Sequence, residues 1–475
     1  MFKKKFYLTT SIAYANAFPH IGFALESVQA DVLARYHRQL GSEVFFLTGT
    51  DEHGRKVAES AAKAGQTPQE FTDKISAKFR DLGRILNLSN DDFIRTTDKL
   101  RHWPAVEKVW QSLEKKGDIY KKKYRGLYCL GCEAFITKKD LQDGKCPIHQ
   151  KMPEEIEEEN YFFRLSKYEK EIEKIIKQDK LKIIPLERKN EMLSFLGQGL
   201  EDISFSRPRK DLSWSVPVPN DPSASVYVWA DALTNYLSAI GYTDDEKKFK
   251  KFWPADVHCI GKDIQKFHCL IWPGMLLSLG LPLPETIFVH GLITIEGQKM
   301  SKSLGNVIDP FELVNKYGTD PVRYFLLREV PPSTDGDFSY EKFEQRYNSD
   351  LAKGLGNLVA RVITLSGSIR EKKESSSAEL ALAIRRTDKN YQANLAEFKF
   401  NEALFSIWEI ISFCDQYIEK EKPWQENSNR QETIGNLLLA LKTIANLLSP
   451  FLPETASKIL EQLKSRQSQS LFPRL

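Results

Sequence analysis

The sequence predicts an α/β region that continues into an all-α bundle, and three observations predict this fold class. Apolar runs of strand length alternate with amphipathic helical patterns over residues 1–345. Closely spaced cysteines and a histidine interrupt this alternation between residues 129 and 149. Past residue 346 there are few strand signals, and long amphipathic helices follow. We therefore predict an α/β fold: a Rossmann-type doubly wound parallel sheet split by a zinc-knuckle insertion and followed by an all-α helical bundle.

Length and composition restrict the kind of protein. At 475 residues the chain is too long for one hydrophobic core, so we expect about three domains. Its 68 basic and 64 acidic residues nearly cancel, so any polyanion-binding surface must come from local charge segregation. No stretch approaches the roughly 18 apolar residues of a membrane span. Six cysteines in so long a chain do not form a disulfide framework, which predicts a cytoplasmic location.

The first predicted strand, residues 6–12, leads through a loop into a helix. Apolar residues at three-to-four spacing give that helix one apolar face: Leu25, Val28, Val32, Tyr36 and Leu40. His20 and Gly22 fall at its start, where free backbone amides and the helix dipole attract anions. Gly22 would let a nucleotide approach the backbone, and His20 could donate to a phosphate oxygen. The alternative for His20 is an ordinary loop residue.

A second apolar strand, residues 43–48, ends in Gly49-Thr50-Asp51-Glu52-His53-Gly54. Ligands of open α/β sheets bind beyond the carboxyl ends of the strands, which is where Asp51 falls. Its carboxylate suits a substrate ammonium group, although an aspartate that caps the next helix is the alternative. Residues 62–116 then show a helical, amphipathic pattern.

The cysteine cluster has the spacing of a zinc site. Cys129 and Cys132 form one short pair, and Cys146 and His149 form a second pair after thirteen residues. Two such pairs, each closing a tight turn, supply a tetrahedral zinc ion. A disulfide would leave His149 unexplained. Four protein ligands close the coordination shell, so we predict one structural zinc ion that stabilises a knuckle over about residues 124–158.

The second half of the sheet is predicted to resume with a strand at residues 226–229. A further strand at residues 256–260 ends in Gly261-Lys262-Asp263, and Asp263 could accept hydrogen bonds from both ribose hydroxyls. A strand at residues 286–290 enters Gly291, and a ribbon at residues 293–297 precedes the lysine loop, residues 299–303. Lysines three apart can follow a phosphate as its charge grows in a transition state. The alternative is a mobile basic surface loop.

Several of these segments resemble one enzyme family. Lys299-Met300-Ser301-Lys302-Ser303 matches letter for letter the second signature of class I aminoacyl-tRNA synthetases, and Pro19-His20-Ile21-Gly22 resembles the first. The methionine-specific family of that class is similar at four further segments: Tyr14-Ala15-Asn16, the run at residues 48–54, Tyr227-Val228-Trp229-Ala230-Asp231-Ala232, and Gly261-Lys262-Asp263-Ile264. The resemblance covers essentially the whole chain. One residue departs from it, because Phe23 stands where the first signature normally has a second histidine.

The resemblance implies a two-step reaction. L-methionine and ATP would give methionyl-adenylate, and the methionyl group would then pass to the 3′ end of tRNA(Met). Mg2+ would accompany ATP, and the zinc would be structural. No further module follows residue 475, so a monomer is expected. Cysteine or valine synthetases and a non-catalytic RNA-binding relative stay open as alternatives. Only Phe23 favours the last of these.

The resemblance also assigns site residues. Several of those assigned to methionine are aromatic, which suits this substrate because sulfur prefers aromatic neighbours. The catalytic residues are expected to be His20, Lys299 and Lys302. The ATP-binding residues are expected to be His20, Gly22, Glu26, Gly261, Asp263, Gly291, Lys299, Ser301 and Lys302. The methionine-binding residues are expected to be Ile12, Tyr14, Asp51, Trp229, Leu233, Tyr236, Phe267 and His268. The anticodon-binding residues are expected to be Asn357, Arg361 and Trp424.

Four segments follow from these assignments. Residues 1–115 form the first half of the catalytic domain, and residues 116–225 form a connective insertion with the knuckle. Residues 226–345 form the second half of the catalytic domain and the stem-contact region with the lysine loop. Residues 346–475 form the helical anticodon-binding domain. The insertion is too small to hold the hydrolytic editing domain of valine, isoleucine and leucine synthetases.

Overall fold

A computed structural model describes residues 4–131, 134–136, 141–148, 150–300, 305–367, 377–426 and 428–473. The chain divides into two compact units. Unit 1 comprises Met1–Pro19, Leu40–Gly83 and Asn90–Val289, and unit 2 comprises His20–Gln39, Arg84–Ser89 and His290–Leu475. Among the helices in the described ranges, none combines the length and the apolar character needed to cross a membrane.

The strands have the following bounds: β1 Lys5–Thr10, β2 Ala13–Tyr14, β3 Glu43–Asp51, β4 Asp92–Arg95, β5 Ile119–Cys129, β6 Ala134–Ile136, β7 Glu154–Phe163, β8 Lys182–Ile184, β9 Ile203–Ser204, β10 Ser206–Pro208, β11 Pro217–Val218, β12 Asp221–Val226, β13 Val257–Gly261, β14 Thr286–His290, β15 Ile293–Ile295, β16 Gln298–Lys299 and β17 Gly336–Phe338.

The α-helices have the following bounds: α1 Ile21–Gln39, α2 Arg55–Lys63, α3 Pro68–Ile85, α4 Trp103–Lys115, α5 Glu169–Lys177, α6 Leu186–Leu196, α7 Val228–Leu233, α8 Asn235–Ser238, α9 Glu246–Phe252, α10 Trp272–Leu279, α11 Pro310–Tyr317, α12 Thr319–Glu329, α13 Tyr340–Arg346, α14 Asn357–Ser366, α15 Ala378–Ala396, α16 Phe400–Glu421, α17 Arg430–Leu448 and α18 Pro453–Ser465. Short 3-10 turns lie at Leu165–Tyr168 and Lys262–Ile264, and π-helical stretches lie at Phe267–Ile271 and Tyr347–Gly356.

The main sheet of unit 1 has the strand order β2-β3-β1-β13-β14-β8, with β4 paired to β3. Strand β1 pairs in parallel with β3 on one side and with β13 on the other. The pairings of β3 with β4 and of β14 with β8 are also parallel. The strand order therefore changes direction at β1, which is the switch point where doubly wound sheets bind ligands. This arrangement confirms the predicted Rossmann-like parallel sheet.

The central strands are buried along their length. β13 is buried at every residue, and β1 is buried from Phe6 to Thr10. Parallel sheets are covered on both faces, so their strands are continuous apolar runs rather than alternating ones. This is why the sequence could predict them. The core of unit 1 also contains the large buried aromatics Trp110 and Trp272.

Unit 2 contains α1 and the C-terminal helices. α1 packs against α12, and within the bundle α16 packs against both α15 and α17, with α17 packed on α18. The helical character predicted past residue 346 is confirmed. Leu25, Val28 and Val32 of the apolar face predicted for α1 are buried, but burial is not confined to that face, because every residue from Ala24 to Ala34 is buried. Leu40 lies beyond the end of this helix and is exposed.

Two local predictions differ from the structure. The strand predicted at residues 226–229 ends at Val226, because Val228 and Trp229 already belong to helix α7 and Tyr227 is the extended residue before it. Tyr, Val and Trp have strand propensity, but burial in the core decides the conformation here. The helical prediction over residues 62–116 missed strand β4. Only one of its four residues, Ile94, is buried, so it carries little apolar signal.

Candidate functional site

The predicted anion-binding end of α1 has a defined geometry. The Gly22 backbone N–H donates to Nδ1 of His20 at 3.1 Å. Because Nδ1 accepts this bond, the ring proton of neutral His20 is on Nε2, which remains a donor. A Cβ on Gly22 would lie 2.9 Å from Cε1 and 3.0 Å from Nδ1 of His20, so the ring occupies the space that only glycine leaves. The Phe23 and Ala24 N–H groups donate to the His20 carbonyl and start the helix.

The two signature segments approach each other within unit 2. Cε of Met300 lies 3.7 Å from the position that a Cβ on Gly22 would occupy. The Ile21 N–H, at the first residue of α1, donates to the Ile308 carbonyl at 3.2 Å, just past the lysine loop. Lys299 ends β16 and is exposed. Ser301 and Lys302 lie outside the described residues.

Glu26 is buried in α1 and contacts His290, at the end of β14, with 3.0 Å between Oε2 and Nε2. The other ring nitrogen of His290 lies 2.7 Å from the Gly291 carbonyl. Gly291 itself lies against backbone, since a Cβ there would be 2.0 Å from the Thr334 carbonyl oxygen. Sequence reasoning named Glu26 and Gly291 as nucleotide-binding residues but missed His290, which touches both.

In unit 1, predicted ligand-binding residues lie at the carboxyl edge of the sheet. Tyr14 in β2 and Asp51 in β3 are direct partners in a parallel register, and the Ala15 N–H donates to the Asp51 carbonyl at 2.7 Å. Asp51 is buried, and Ile12 lies partly buried in the turn between β1 and β2. Gly261 is the last residue of β13, and Asp263 follows as an exposed residue of a 3-10 turn.

The aromatic residues predicted to bind methionine form one cluster. The rings of Trp229 and Phe267 stack with centroids 3.5 Å apart and an interplanar angle of 11°. Leu233 follows one turn after Trp229 in α7 and is buried. Tyr236 and His268 are also buried, with 2.7 Å between the Tyr236 hydroxyl and Nε2 of His268.

His268 is neutral. Its Nδ1 donates to the Ile264 carbonyl at 3.1 Å, so Nε2 accepts from the Tyr236 hydroxyl. Burial lowers the pKa of His268 to about 4. His258, which has ring contacts with both Tyr236 and His268, also has a pKa lowered well below its ordinary value by burial. The two buried histidines of the cluster are therefore uncharged, which suits contact with an apolar, polarizable thioether side chain.

A buried carboxylate between two histidines was not predicted as part of the site. Asp231 Oδ2 lies 2.7 Å from Nδ1 of His53, and Oδ1 lies 2.9 Å from Nε2 of His102. Burial alone would raise the pKa of Asp231, but the charge and hydrogen bonds of the two histidines lower it to about 2. Asp231 therefore ties α7, which carries Trp229, to the segment that carries Asp51. The matched segments contained His53 and Asp231, whereas His102 lies in no motif.

Comparison with known proteins identifies the family. The family profile described as "tRNA synthetases class I (M)" matches residues 6–151 and 131–363, and that of the "Anticodon-binding domain of tRNA ligase" matches residues 379–474. The chain is 45% identical over 475 residues to the methionine–tRNA ligase of Caldanaerobacter subterraneus subsp. tengcongensis, covering 97% of this chain and 74% of that protein. The chain belongs to the methionyl-tRNA synthetase family.

Two further methionyl-tRNA synthetases support this placement. The methionine–tRNA ligase of Brucella suis is 41% identical over 478 residues, which covers 98% of this chain and 92% of that protein. The structure of Mycobacterium tuberculosis methionyl-tRNA synthetase in complex with methionyl-adenylate is similar with a TM-score of 0.91 at 38% identity. That similarity covers 96% of this chain and 93% of the other.

The structure describes the predicted zinc knuckle only in part. Cys129 ends β5 and Cys146 lies in a tight loop, and both are buried. The Gln150 N–H donates to the Cys146 carbonyl at 2.8 Å, and the Cys146 N–H donates to the Lys151 carbonyl at 2.9 Å. Cys132 and His149 lie outside the described residues. Within the residues that are described, no group of three or more potential ligands could hold a metal ion.

The residues predicted to bind the anticodon lie in unit 2. Asn357 is the exposed first residue of α14, and Arg361 is one turn further along. The Arg361 guanidinium contacts Glu419 at 2.6 Å and Asp415 at 3.7 Å, both on α16. Trp424, just past α16, is 49% exposed. Sequence reasoning missed the acidic partners of Arg361, because nothing in the sequence places α16 beside α14.

Proposed function

We propose that this chain carries out the reaction of its family with the residue roles assigned below. In the first step the methionine carboxylate attacks the α-phosphate of ATP, which gives methionyl-adenylate and pyrophosphate. In the second step the terminal ribose of tRNA(Met) takes the methionyl group and AMP leaves. Little covalent chemistry is required of the protein, so catalysis consists of positioning and of stabilising negative charge.

The phosphates of ATP are assigned to unit 2. His20 would donate from Nε2, because its Nδ1 is already an acceptor for Gly22. The first amides of α1 would add the positive end of the helix dipole. Lys299, Ser301 and Lys302 would bind the triphosphate as its charge shifts. With Phe23 in place of a second histidine, His20 and the lysines carry more of this stabilisation.

The nucleoside is assigned to Glu26, Gly261, Asp263 and Gly291. The exposed carboxylate of Asp263 follows a strand at the carboxyl edge of the sheet, which suits the paired hydroxyls of a ribose. Glu26 is held by His290 and therefore presents its carboxylate in a fixed orientation. Gly291 supports the proposal indirectly, because its lack of a side chain allows the close approach of the Thr334 backbone.

Methionine is assigned to the aromatic cluster of unit 1. The Asp51 carboxylate would bind the ammonium group. The thioether would contact the stacked Trp229 and Phe267, with Tyr236 and neutral His268 at the polar end of the cluster. The remaining lining residues are Ile12, Tyr14 and Leu233. An uncharged aromatic pocket favours methionine over cysteine or valine, which are smaller and leave such a pocket unfilled.

We assign tRNA selection to the helical region, with Asn357 and Arg361 as hydrogen-bonding residues and Trp424 as a stacking surface for a splayed base. We also propose domain boundaries at residues 1–115, 116–225, 226–345 and 346–475. A cytoplasmic location and a monomeric state stay predictions.

We propose one structural zinc ion held by Cys129, Cys132, Cys146 and His149. The buried thiols and the tight turn around Cys146 fit such a role. Zinc with four protein ligands would stabilise a small knuckle and take no part in the reaction. Mg2+ is expected with ATP, as for ATP-dependent synthetases generally.

The observation that carries the proposal is the approach of Met300 to Gly22, which brings the second signature to the first. Methionine-dependent ATP–pyrophosphate exchange tests it. We expect exchange with methionine and little with valine or cysteine, and we expect Lys299→Ala and Lys302→Ala to lose most of it. Absence of exchange in the unaltered chain would contradict the proposal.

A further inference from the structure

Asp337 holds the turn that leads into the lysine loop. Its Oδ1 accepts a hydrogen bond from the Gly297 backbone N–H at 2.7 Å and another from the Thr294 hydroxyl at 2.7 Å. β17 pairs in parallel with β15, and Thr294 is the direct partner of Asp337 in this register. One carboxylate oxygen therefore binds both the ribbon strand and the turn residue that lies two positions before Lys299.

The turn contains a residue in a disfavoured conformation. Ile295 pairs with Gln298 in the β15–β16 hairpin, so Glu296 and Gly297 form a two-residue turn. Both have positive φ, 50° at Glu296 and 74° at Gly297, as a type I′ turn requires. Asparagine followed by glycine adopts this turn readily, whereas glutamate is disfavoured at positive φ. Contacts from outside the turn must therefore stabilise it.

The carboxylate of Asp337 is suited to this task. Burial alone would raise its pKa, but the Gly297 N–H, the Thr294 hydroxyl and Lys342 lower the pKa below its ordinary value. Nζ of Lys342 lies 3.4 Å from Oδ2, and this side chain is 46% exposed. Exposed pairs of this kind contribute little. The charge of Asp337 therefore acts mainly on the turn, as a charge-assisted hydrogen bond to a backbone N–H.

We infer that Asp337 is a positioning residue for adenylate formation: it fixes the turn at residues 296–297 and thereby the approach of Lys299 to the phosphates. The inference rests on the proposed role of the lysine loop. Asp337 touches no substrate in this assignment, and its effect passes through the ribbon. Without it, the turn populates other conformations, and a smaller fraction of molecules has Lys299 in place when the reaction occurs.

The test compares single variants of the full chain by methionine-dependent ATP–pyrophosphate exchange, with methionine affinity measured separately by calorimetry. We expect Asp337→Ala to lower kcat by about 10- to 100-fold, the range for loss of one charge-assisted hydrogen bond. Its methionine affinity should be unchanged. Asp337→Asn keeps an acceptor oxygen but loses the charge, so its rate should lie between those of Asp337→Ala and the unaltered chain. Lys342→Ala is the matched control and should retain all of it.

A rescue separates positioning from general stability. Glu296→Asn places a favoured residue in the type I′ turn, so it should restore part of the rate to Asp337→Ala. If Asp337 served only stability, Asp337→Ala would lower the melting temperature and the methionine affinity together with the rate. An unchanged kcat in Asp337→Ala overturns the inference, as does a double variant that is no faster than Asp337→Ala.

Lys299→Ala distinguishes failure of this inference from failure of the proposed function. If Lys299→Ala loses exchange while Asp337→Ala does not, only the role of Asp337 is wrong. If Lys299→Ala is as active as the unaltered chain, the assignment of the lysine loop to the phosphates is wrong as well.

Discussion

The backbone N–H of Gly22 donates to Nδ1 of His20, and the His20 ring lies over the α carbon that has no side chain. Two properties of His20 follow from this contact. The neutral ring carries its proton on Nε2, and its position depends on the space that glycine leaves. The first signature therefore acts as a unit, in which Gly22 positions the histidine as well as exposing the backbone.

We expect Gly22→Ala to reduce adenylate formation by about 100-fold, the scale reported for small misplacements of reacting groups. The new methyl group would lie 2.9 Å from Cε1 of His20, closer than such contacts allow, so the ring must move. Alanine has a high helix propensity, and so the fold should persist. Single-turnover adenylate formation measures the effect, with methionine affinity as the control. A normal rate would show that the position of the His20 ring does not matter.

A second prediction concerns a buried ion pair in unit 2. Arg323 and Asp31 are both fully buried, with 2.8 Å between Nη2 and Oδ2. Burial alone would raise the pKa of Asp31, but Arg323 and Arg35 lower it, so the carboxylate is charged. Asp31→Asn should destabilise the protein by about 3 to 5 kcal/mol, because Arg323 would be left as a buried charge without its carboxylate.

Urea unfolding measures this change in free energy. Glu59→Gln is the control, since Glu59 pairs with Arg55 at the surface with both side chains more than 40% exposed. An exposed pair contributes at most about 1 kcal/mol. If Asp31→Asn and Glu59→Gln lowered the free energy of unfolding equally, burial would not be the reason that the Asp31–Arg323 pair matters.

These contacts indicate why the sequence predicted some features and not others. β1 and β13 were predictable because a strand buried on both faces is a continuous apolar run. β4 was not, since Ile94 alone is buried in it. Val228 and Trp229 were assigned to the end of a strand because their local propensity favours one, whereas both belong to helix α7 in the folded chain.

The site residues also divide into those that the sequence could predict and those that it could not. His20, Gly22 and the lysine loop were predictable because they lie in contiguous motifs. The contacts of His53 with Asp231 and of Glu26 with His290 join residues 178 and 264 positions apart. Only the folded chain brings such residues together, so no local pattern could reveal them.

A third prediction uses the neutral state of His268. Its pKa falls from an ordinary 6.5 to about 4 on folding, so the unfolded chain binds a proton that the folded chain does not. The resulting stability is complete above pH 6.5 and is lost as the pH falls towards 4. The difference corresponds to about 3 kcal/mol.

The free energy of unfolding, measured from pH 7 to pH 4, should therefore fall less steeply in His268→Gln than in the unaltered chain. His258 keeps its own contribution in both proteins, because burial lowers its pKa too. Identical slopes would mean that folding does not lower the pKa of His268, in conflict with its burial and with the hydrogen bond that Nε2 accepts from the Tyr236 hydroxyl.

A fourth prediction addresses the proposed zinc site. Cys146→Ser should abolish stoichiometric zinc in the purified protein, because a serine hydroxyl is a poor zinc ligand. Mass spectrometry of the metal content measures this directly. Cys414→Ala is the control: this thiol is buried in α16, where burial raises its pKa to about 12, and its loss should leave the zinc content unchanged. Zinc retained by Cys146→Ser would contradict the assignment.

The last prediction concerns Trp424, which is 49% exposed just past α16. A large aromatic ring at the surface can stack on a splayed base, and such stacking contributes about 1 to 3 kcal/mol. We therefore expect Trp424→Ala to lower kcat/KM for tRNA aminoacylation by about 10- to 100-fold. ATP–pyrophosphate exchange should not change, because it requires no tRNA. Phe405→Ala removes a similarly exposed aromatic ring, 47% exposed, from α16 of the same bundle and should leave both activities unchanged. If Phe405→Ala and Trp424→Ala weaken aminoacylation equally, then loss of apolar surface from the bundle, rather than recognition by Trp424, accounts for the effect.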